Sequence, residues 1–378
     1  MEKEVLSSTV YSKEKILHHP QKVQSLLEGR VTPPIYVRVK PTNVCNHGCF
    51  YCTYADRKGN GNHSFSGIHE RTVIRDKIPE EKMEEILKDF RDMGIKAVTY
   101  SGGGEPLLYP YIRQTLERTL EYGIDLSMIT HGQFLMNPEA EPLKHAKWVR
   151  ISQDAISEEE FSRIRRINGK HFETIKRNAE EFAKIKDKDC VFGINFVVSE
   201  ENVGDVYEGA KMWKDIGVSY VRFSPVWGPN FEQYHAPHRD NVEEQLRRAK
   251  EDLNDTSFEV HDSFQTDFEL EGRSFRTYSW CPMMQVVPVI GADQNVYFCH
   301  NKAYSTDGKM GSIKDQSFKK LWFSEETTRI FREFDPSKSC NHQCANDRKN
   351  IKIIGIVENG KIPLEKIMAS NIPHVNFI

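Results

Sequence analysis

Residues 35–52 read IYVRVKPTNVCNHGCFYC. A short β-branched run, Ile35–Val39, closes on Lys40 and Pro41 and is followed at once by Cys45, Cys49 and Cys52 in a C-x3-C-x2-C spacing. The run has the composition of a buried strand. Three thiols placed directly after it stand where a parallel α/β fold collects its chemistry, at the C-terminal end of a strand. Three cysteines this close cannot all pair as disulfides, but they can share one soft metal centre. Zinc would want a fourth ligand, for which His47 is at hand. An iron–sulfur cube would keep one iron without a protein ligand, open to a small molecule.

The same rhythm continues outward. Further strands are expected at Ala97–Ser101, Leu126–Ile129, Trp148–Ser152, Val191–Val198 and Tyr220–Phe223. Helical patterns fill the gaps. After Pro79, which suits the first helical position, Met83, Ile86, Leu87 and Phe90 form one apolar stripe, and Gly94 ends it. Similar helices fit Pro110–Tyr122, Glu158–Arg166, His171–Lys186 and Val203–Ile216, with Gly123 and Gly217 as caps. Strands alternating with helices predict a parallel α/β sheet, doubly wound or curled into a barrel. The rhythm stops near residue 225. A stretch rich in His, acidic and aromatic residues follows, with one helix near Asn241–Leu253. From Cys281 two short strands, Val286–Ile290 and Val296–Cys299, are expected around a turn. The domain reading is therefore an N-terminal extension (1–34), a barrel (35–225), a connecting segment (226–280) and a second, smaller domain (281–378).

Composition narrows the function classes. Lys and Arg number 52 against 55 Asp and Glu, a net charge of −3, so no overall basic footprint for nucleic acid or anionic lipid is present. No run approaches the length of a membrane span, and the N-terminus lacks a signal-peptide pattern. The expected compartment is the cytoplasm, with no membrane partner. There, eight cysteines in a chain of 378 residues read as metal ligands or catalysts rather than disulfides.

With Tyr51 before its last cysteine, the first cluster resembles that of the radical S-adenosylmethionine enzymes. Tyr100-Ser-Gly-Gly-Gly-Glu-Pro106 is similar to the Gly-Gly-Glu-Pro motif of that family, and Ser152-Gln153-Asp154 to its Ser-x-Asp segment. The resemblance implies a partial (β/α)6 barrel with a [4Fe–4S] cluster on Cys45, Cys49 and Cys52. It also implies contacts to S-adenosylmethionine by Tyr51, Gly103, Gly104, Glu105, Thr130, Ser152, Asp154, Arg165 and Asn195. His131 stands where relatives often have Asn. Taken as residues alone, Gly102–Gly104 are also a plain strand-to-helix turn, and Ser152 and Asp154 suit a helix N-cap.

Cys281, Cys299, Cys340 and Cys344 form a second set that could fill a cube or bind zinc. Asp293-Gln-Asn-Val-Tyr-Phe-Cys299 and the following Gly311-Ser-Ile313 resemble the SPASM/twitch auxiliary-cluster domain, a small α+β unit found after many such barrels. Four cysteines imply the shortened version with one auxiliary [4Fe–4S] cluster, a spacing similar to that of a radical dehydrogenase acting on an aminocyclitol. What the resemblance implies is an oxygen-sensitive enzyme in which an electron from a donor such as flavodoxin or ferredoxin cleaves S-adenosylmethionine, and the 5′-deoxyadenosyl radical removes hydrogen from a substrate. An auxiliary cluster that accepts an electron favours oxidation. A redox-neutral epimerase would want a thiol donor, and the one spare thiol, Cys190, sits at the start of a strand, away from the site. Many relatives modify peptides and carry an N-terminal recognition domain; only 34 residues precede the first strand here. The reading leans to a small polar metabolite: a sugar, an aminocyclitol or a nucleotide-linked sugar. Arg222 and Gln133 are the candidate catalytic residues, with His235 and Gln285 also placed to face the barrel mouth. Trp227, Phe231 and Tyr234 are a stacking surface or packing, and Tyr54–Glu70 a lid or a cover. The competing reading is a zinc-binding structural module, for which the Gly-Gly-Glu-Pro and Ser-x-Asp segments have no use.

Overall fold

The structure is a computed structural model. It describes residues 12, 14–54, 73–228, 230–264, 276–340, 344–360 and 372–378. The expected lid, Tyr54–Glu70, therefore lies outside the described residues apart from Tyr54 itself.

Seven parallel strands follow one another in chain order: β1 (Tyr36–Val39), β2 (Ala97–Tyr100), β3 (Asp125–Thr130), β4 (Trp148–Ser152), β5 (Val191–Val198), β6 (Tyr220–Pro225) and β7 (Glu259–Asp262). The helices we refer to are α1 (Pro20–Leu27), α2 (Glu80–Met93), α3 (Ile112–Glu121), α4 (Glu158–Arg165), α5 (His171–Ile185), α6 (Val206–Ile216), α7 (Arg239–Leu253) and α8 (Asp347–Asn359). All six barrel strands expected from the sequence are present, and the two expected after Cys281 shorten to Val289–Ile290 and Asn295–Tyr297. The seventh lies in the stretch read as a connecting segment. Its residues, Glu-Val-His-Asp, hold one apolar side chain, so no apolar run announces it. It is held by its ladder to β6 and by α7.

Local chemistry explains the crossovers. Glu80 and Glu81 open α2 where its dipole favours negative charge, and Gly94 closes it at a left-handed φ of 71°. At α4, Ser157 accepts from the Glu160 N–H while Glu160 reaches back to the Ile156 N–H, close to a capping box. The strands alternate. Val37, Val39, Val98, Leu126, Met128, Val149, Ile151, Phe192, Ile194, Val221 and Phe223 are buried against the helices, each worth about 1.5–3 kcal/mol of apolar burial. The residues between them point into the barrel and are mostly polar.

The C-terminal part does not stand apart from the barrel. β8 (Val289–Ile290) pairs in parallel with β1. β9 (Asn295–Tyr297) and β10 (Lys309–Ser312) continue from it as antiparallel strands. One ten-stranded sheet results, in the order β10-β9-β8-β1-β2-β3-β4-β5-β6-β7. The Lys40 N–H, at the threshold of the cysteine loop, donates to the Ile290 carbonyl at 2.8 Å.

The opposite end of the barrel is floored by aromatic rings. Phe377 meets Tyr36 and Trp148 edge-on, with centroids 5.5 and 5.6 Å away. Asn376 donates to Asp125 at 2.7 Å, and Lys15 donates to the Phe377 carbonyl at 3.1 Å. Val23 and Leu26 of α1 and Ile353 and Ile356 of α8 belong to the same apolar cluster as Phe377. Among the described residues no helix is long and apolar enough to cross a membrane.

Candidate functional site

The cysteine loop is clamped from two sides. On one, the Gly48 and Phe50 N–H groups donate to the Arg165 and Ile164 carbonyls at the end of α4, at 2.8 and 3.2 Å. On the other, the glycine turn after β2 lies against it: Gly104 N–H donates to the Thr42 carbonyl at 2.9 Å and Glu105 N–H to the Val44 carbonyl at 2.8 Å. A Cβ on Gly104 would stand 2.1 Å from the Val44 carbonyl oxygen. The resemblance implies cofactor contact for Gly103 and Gly104; the structure shows that Gly104 is also needed for its approach to the cysteine loop's own backbone.

Glu105 is fully buried below this turn and accepts from Thr130 Oγ1 at 2.6 Å, the His131 N–H at 2.8 Å and the Leu107 N–H at 3.1 Å. Burial pushes its carboxyl up to about 7 against those hydrogen bonds. His131 is held neutral by burial, well below the usual imidazole range. Its Nδ1 accepts from the Gln133 N–H, and its Nε2 donates to Asn46 in the cysteine loop at 2.8 Å. Its ring stacks on His47 at 3.9 Å.

Asp154, Arg165 and Tyr51 form one network. Arg165 lies 2.8 Å from Asp154 Oδ1, donates to the Ser152 carbonyl at 2.9 Å and reaches Cys49 Sγ at 3.3 Å. The Tyr51 hydroxyl donates to the other Asp154 oxygen. Asn202 fixes the Asp154 carbonyl at 2.8 Å. Burial opposes the Arg165 charge, but Asp154, Tyr51 and Cys49 together outweigh it and hold the guanidinium well above its usual range. Ser152 and Asn195 are register partners on β4 and β5, and Asn195 donates to Ser224 at 3.2 Å. The expected cofactor contacts thus come together around the cysteine loop at the C-terminal ends of β1 to β6.

The expected substrate residues are placed differently. Arg222 faces the barrel interior, its Nε 2.7 Å from Ser263 Oγ. Gln133, against expectation, is committed to the cysteine loop: its Oε1 accepts from Asn46 and His47 and its Nε2 donates to His171. His235 is also corrected. It donates to the Val226 carbonyl at 2.9 Å and packs on Phe231 and Phe264, so it is core. Trp227 stacks on Phe231 at 4.4 Å. Gln285 is buried in the turn after Cys281. Cys190 is buried at the start of β5, and burial pushes its thiol up to about 12.

Cys281, Cys299, Cys340 and Cys344 line one cavity with Met283, Phe298 and Phe334. Burial raises every one of these thiols, Cys340 to about 11 and Cys344 to about 12, and thiolate neighbours raise them further. Four thiols that disfavour one another's ionisation fit a centre that supplies positive charge. Among the described residues no three His, Cys, Asp or Glu side chains converge on the point a single ion would take. All four thiols line the one cavity, and a cube carries its thiolates on four separate irons. At the first cluster, Arg165 and the buried Lys40 supply cations beside the thiols, in keeping with a negatively charged cluster. Lys40 donates to the Gly102 carbonyl and to Tyr54, and burial pushes its ammonium down to about 7.

Sequence reading misses several of these supports. Tyr304, from the C-terminal part, donates to Asn43 Oδ1 at 2.6 Å and accepts from the Ala292 N–H at 3.1 Å, bracing the cysteine loop. No local signal marks it, because the partners are 261 residues apart.

Comparison with known proteins places this geometry. Residues 39–224 match the family model of the radical SAM superfamily, and residues 281–346 that of an iron–sulfur cluster-binding domain. The chain is 21% identical over 329 residues to the PqqA peptide cyclase of Gluconobacter oxydans, covering 82% of this chain and 84% of that one. It is 30% identical over 196 residues to a probable GTP 3′,8-cyclase of Methanocaldococcus jannaschii, covering 50% of this chain and 59% of that one. Among solved structures, Streptococcus suis SuiB bound to precursor peptide SuiA superposes with a TM-score of 0.61 at 16% identity, over 83% of this chain and 70% of that one. The anSMEcpe structure with bound AdoMet gives 0.56 at 18%, over 89% and 99%.

Proposed function

Since the chain is a radical SAM enzyme with a C-terminal SPASM iron–sulfur cluster-binding domain, we propose that it oxidises a small polar metabolite, a sugar, aminocyclitol or nucleotide-linked sugar, by hydrogen-atom abstraction. In this reading the substrate loses one hydrogen atom to the 5′-deoxyadenosyl radical, one electron to the auxiliary cluster and one proton to solvent. When bound, the [4Fe–4S] cluster with S-adenosylmethionine supplies the electron and the radical, and the SPASM domain holds the auxiliary iron–sulfur chemistry. Cys45, Cys49 and Cys52 are the ligands we assign to the first cluster; Cys281, Cys299, Cys340 and Cys344 to the second. The barrel mouth, with Tyr51, Gly103, Gly104, Glu105, Thr130, Ser152, Asp154, Arg165 and Asn195, orients the cofactor. Glu105, pinned by three donors, is a fixed acceptor near the glycine turn. Arg165 joins the cofactor rim to Cys49. Arg222 is the substrate-facing residue.

One observation carries oxidation over a redox-neutral outcome. Cys190, the single thiol outside both sets, is buried at the start of β5, at the far end of the barrel from the cysteine loop. It is badly placed to return a hydrogen atom, whereas the second thiol cavity belongs to a unit whose strands continue the same sheet. A second reading, ring closure, is favoured by the names of the relatives, which are cyclases of a peptide and of GTP. The test is anaerobic turnover with dithionite and candidate substrates. Release of 5′-deoxyadenosine with a product two mass units lighter and one new carbonyl supports oxidation. The same mass loss with a new ring and no carbonyl supports cyclisation. A ring-closed product of unchanged mass also supports cyclisation, because a radical that adds to a double bond and then takes up an electron and a proton regains its hydrogen; a product of unchanged mass with neither new ring nor carbonyl overturns both.

A further inference from the structure

Three strands of the barrel carry one local pattern: Val37-Arg38-Val39 in β1, Val149-Arg150-Ile151 in β4 and Val221-Arg222-Phe223 in β6. The six flanking side chains are each 0% exposed, under the helices. Strand alternation then turns all three arginines to the lumen. Their contacts agree. The Arg38 guanidinium lies 5.8 Å from the Tyr36 ring, and the Tyr36 hydroxyl meets Thr99 and through it Ser127, inward residues of β2 and β3. The Arg150 guanidinium lies 5.9 Å from the Trp148 ring. Arg222 is the register partner of Asn195 and His261 and donates to Ser263.

A fourth cation enters from outside the barrel. Lys349 on α8, five residues beyond Cys344, lies within electrostatic reach of Arg38, Cys344 and Arg222. The lumen is layered as a result. Tyr36, Trp148 and Phe377 make an aromatic floor, and the cations lie above it. Ser152, Asn195 and Ser101 stand towards the cysteine loop. Ser101 Oγ is buried and has no hydrogen-bond partner among the described residues. Among the described strand residues, the acidic groups on inward positions lie at the floor end: Asp125, which accepts from Asn376, and Glu259 at the start of β7.

Cations gathered in a low-dielectric enclosure repel one another, and a bound polyanion relieves that repulsion. A single carboxylate is satisfied by one arginine. Several cations from two or three strands and a helix match a group with more charge and more acceptors, and arginine forks with a lysine point charge suit phosphate oxygens. We propose that the barrel lumen anchors the substrate by a phosphate or diphosphate group, held by Arg38, Arg222 and Lys349 with Arg150 beside them. The inference rests on the radical reading of the same barrel, because the anchored anion leaves the remainder of the molecule directed up to the cysteine loop. It also ties substrate binding to the auxiliary cluster, since Cys344 and Lys349 share one short stretch of chain.

The test is calorimetric titration of the holoenzyme, reconstituted anaerobically with S-adenosylmethionine bound, with pyrophosphate, inorganic phosphate and citrate. Pyrophosphate should bind one per chain, more weakly as salt is raised and more tightly than citrate. Lys349→Gln and Arg38→Gln should each weaken it by about tenfold, the loss of one charge-assisted contact. Lys349→Arg should keep most of the affinity, and the exposed Lys338→Gln all of it. Iron content and melting temperature report whether each variant is folded. No pyrophosphate binding, equal binding by Lys349→Gln, or citrate binding as tightly would overturn the proposal. Uncoupled 5′-deoxyadenosine release by the wild-type protein is read in parallel. If it is absent while pyrophosphate binds as expected, the radical reading falls and the anion site stands. If it is present and pyrophosphate does not bind, the anion site falls alone.

Discussion

Arg165 holds Cys49 and Asp154 at once, its Nη1 3.3 Å from the Cys49 sulfur and its Nη2 2.8 Å from Asp154 Oδ1. Both charged side chains are almost wholly buried, at 4% and 0% exposed. A buried pair of this kind contributes little net stability, but breaking it on one side leaves an uncompensated charge. Arg165→Gln should therefore cost about 3–5 kcal/mol in urea unfolding and lower the iron bound at the first cluster. The double change Arg165→Gln with Asp154→Asn removes both charges and should recover part of the stability while iron loading stays low. A double variant no more stable than the single one would show that the pair does not act electrostatically.

The glycine turn makes a sterically sharper prediction. Gly104→Ala would drive a methyl to within 2.1 Å of backbone oxygen at Val44, where no side chain can yield. The cysteine loop must shift, so iron at the first cluster and 5′-deoxyadenosine formation should both drop at least tenfold, about 1.4 kcal/mol in the barrier. Gly204→Ala is the control. Nothing lies within 4 Å of the added carbon there, and the change should stay within about 0.5 kcal/mol of the parent.

Tyr304 links the two halves through one hydroxyl, shared between Asn43 and the Ala292 N–H. Tyr304→Phe leaves two buried polar groups short of a partner, worth about 1–3 kcal/mol. Hydrogen exchange should quicken at Ala292 and Asn43 more than in β5 or β6. Uniform quickening across the sheet would mean that the hydroxyl does not join these particular segments.

The strands and the crossovers were legible because the outward face of the sheet is apolar at every second position and the helices carry stripes at helical spacing, whereas the barrel order, as against a doubly wound sheet, came from the family resemblance. Both cysteine sets were read from spacing together with the resemblance of the motifs around them, and the structure brings the second set to one cavity. Three features were not. β7 is one apolar residue among polar ones and is ordered by its neighbours. Gln133 reads as a free polar group at a strand end, yet its amide is consumed by Asn46, His47 and His171, contacts that form only when the cysteine loop folds back. Tyr304 acts across more than two hundred residues of chain, on Asn43. Such pairings depend on β8 docking against β1, and a two-residue strand leaves almost no pattern.

Glu105 gives the stability a pH dependence of predictable sign. Burial raises its folded-state carboxyl to about 7, above the unfolded value of about 4.3. Between these values the folded chain binds more protons than the unfolded one. Its contribution is full below about pH 4.3 and is lost as the pH rises through about 7. Glu105→Gln should flatten the fall in melting temperature across that window, keeping one oxygen as acceptor for Thr130 and the Leu107 N–H while its amide NH2 faces the His131 N–H. An unchanged slope would place the carboxylate's titration outside it.

Iron stoichiometry separates the roles of the two thiol sets. Anaerobic reconstitution should give about eight irons and eight sulfides per chain if both sets hold cubes. Cys340→Ser with Cys344→Ser should lower this to about four. If the auxiliary cluster takes the second electron, that variant should still release 5′-deoxyadenosine but form no oxidised product. Cys190→Ala should leave both iron and product unchanged, because its thiol is packed at the start of β5 and takes part in neither set. The opposite pattern, with product lost in Cys190→Ala and kept in the double serine variant, would reverse the assignment. The thiol would then be the hydrogen donor of a redox-neutral reaction, and the barrel would have to open at its floor, past Tyr36, Trp148 and Phe377, to let it act.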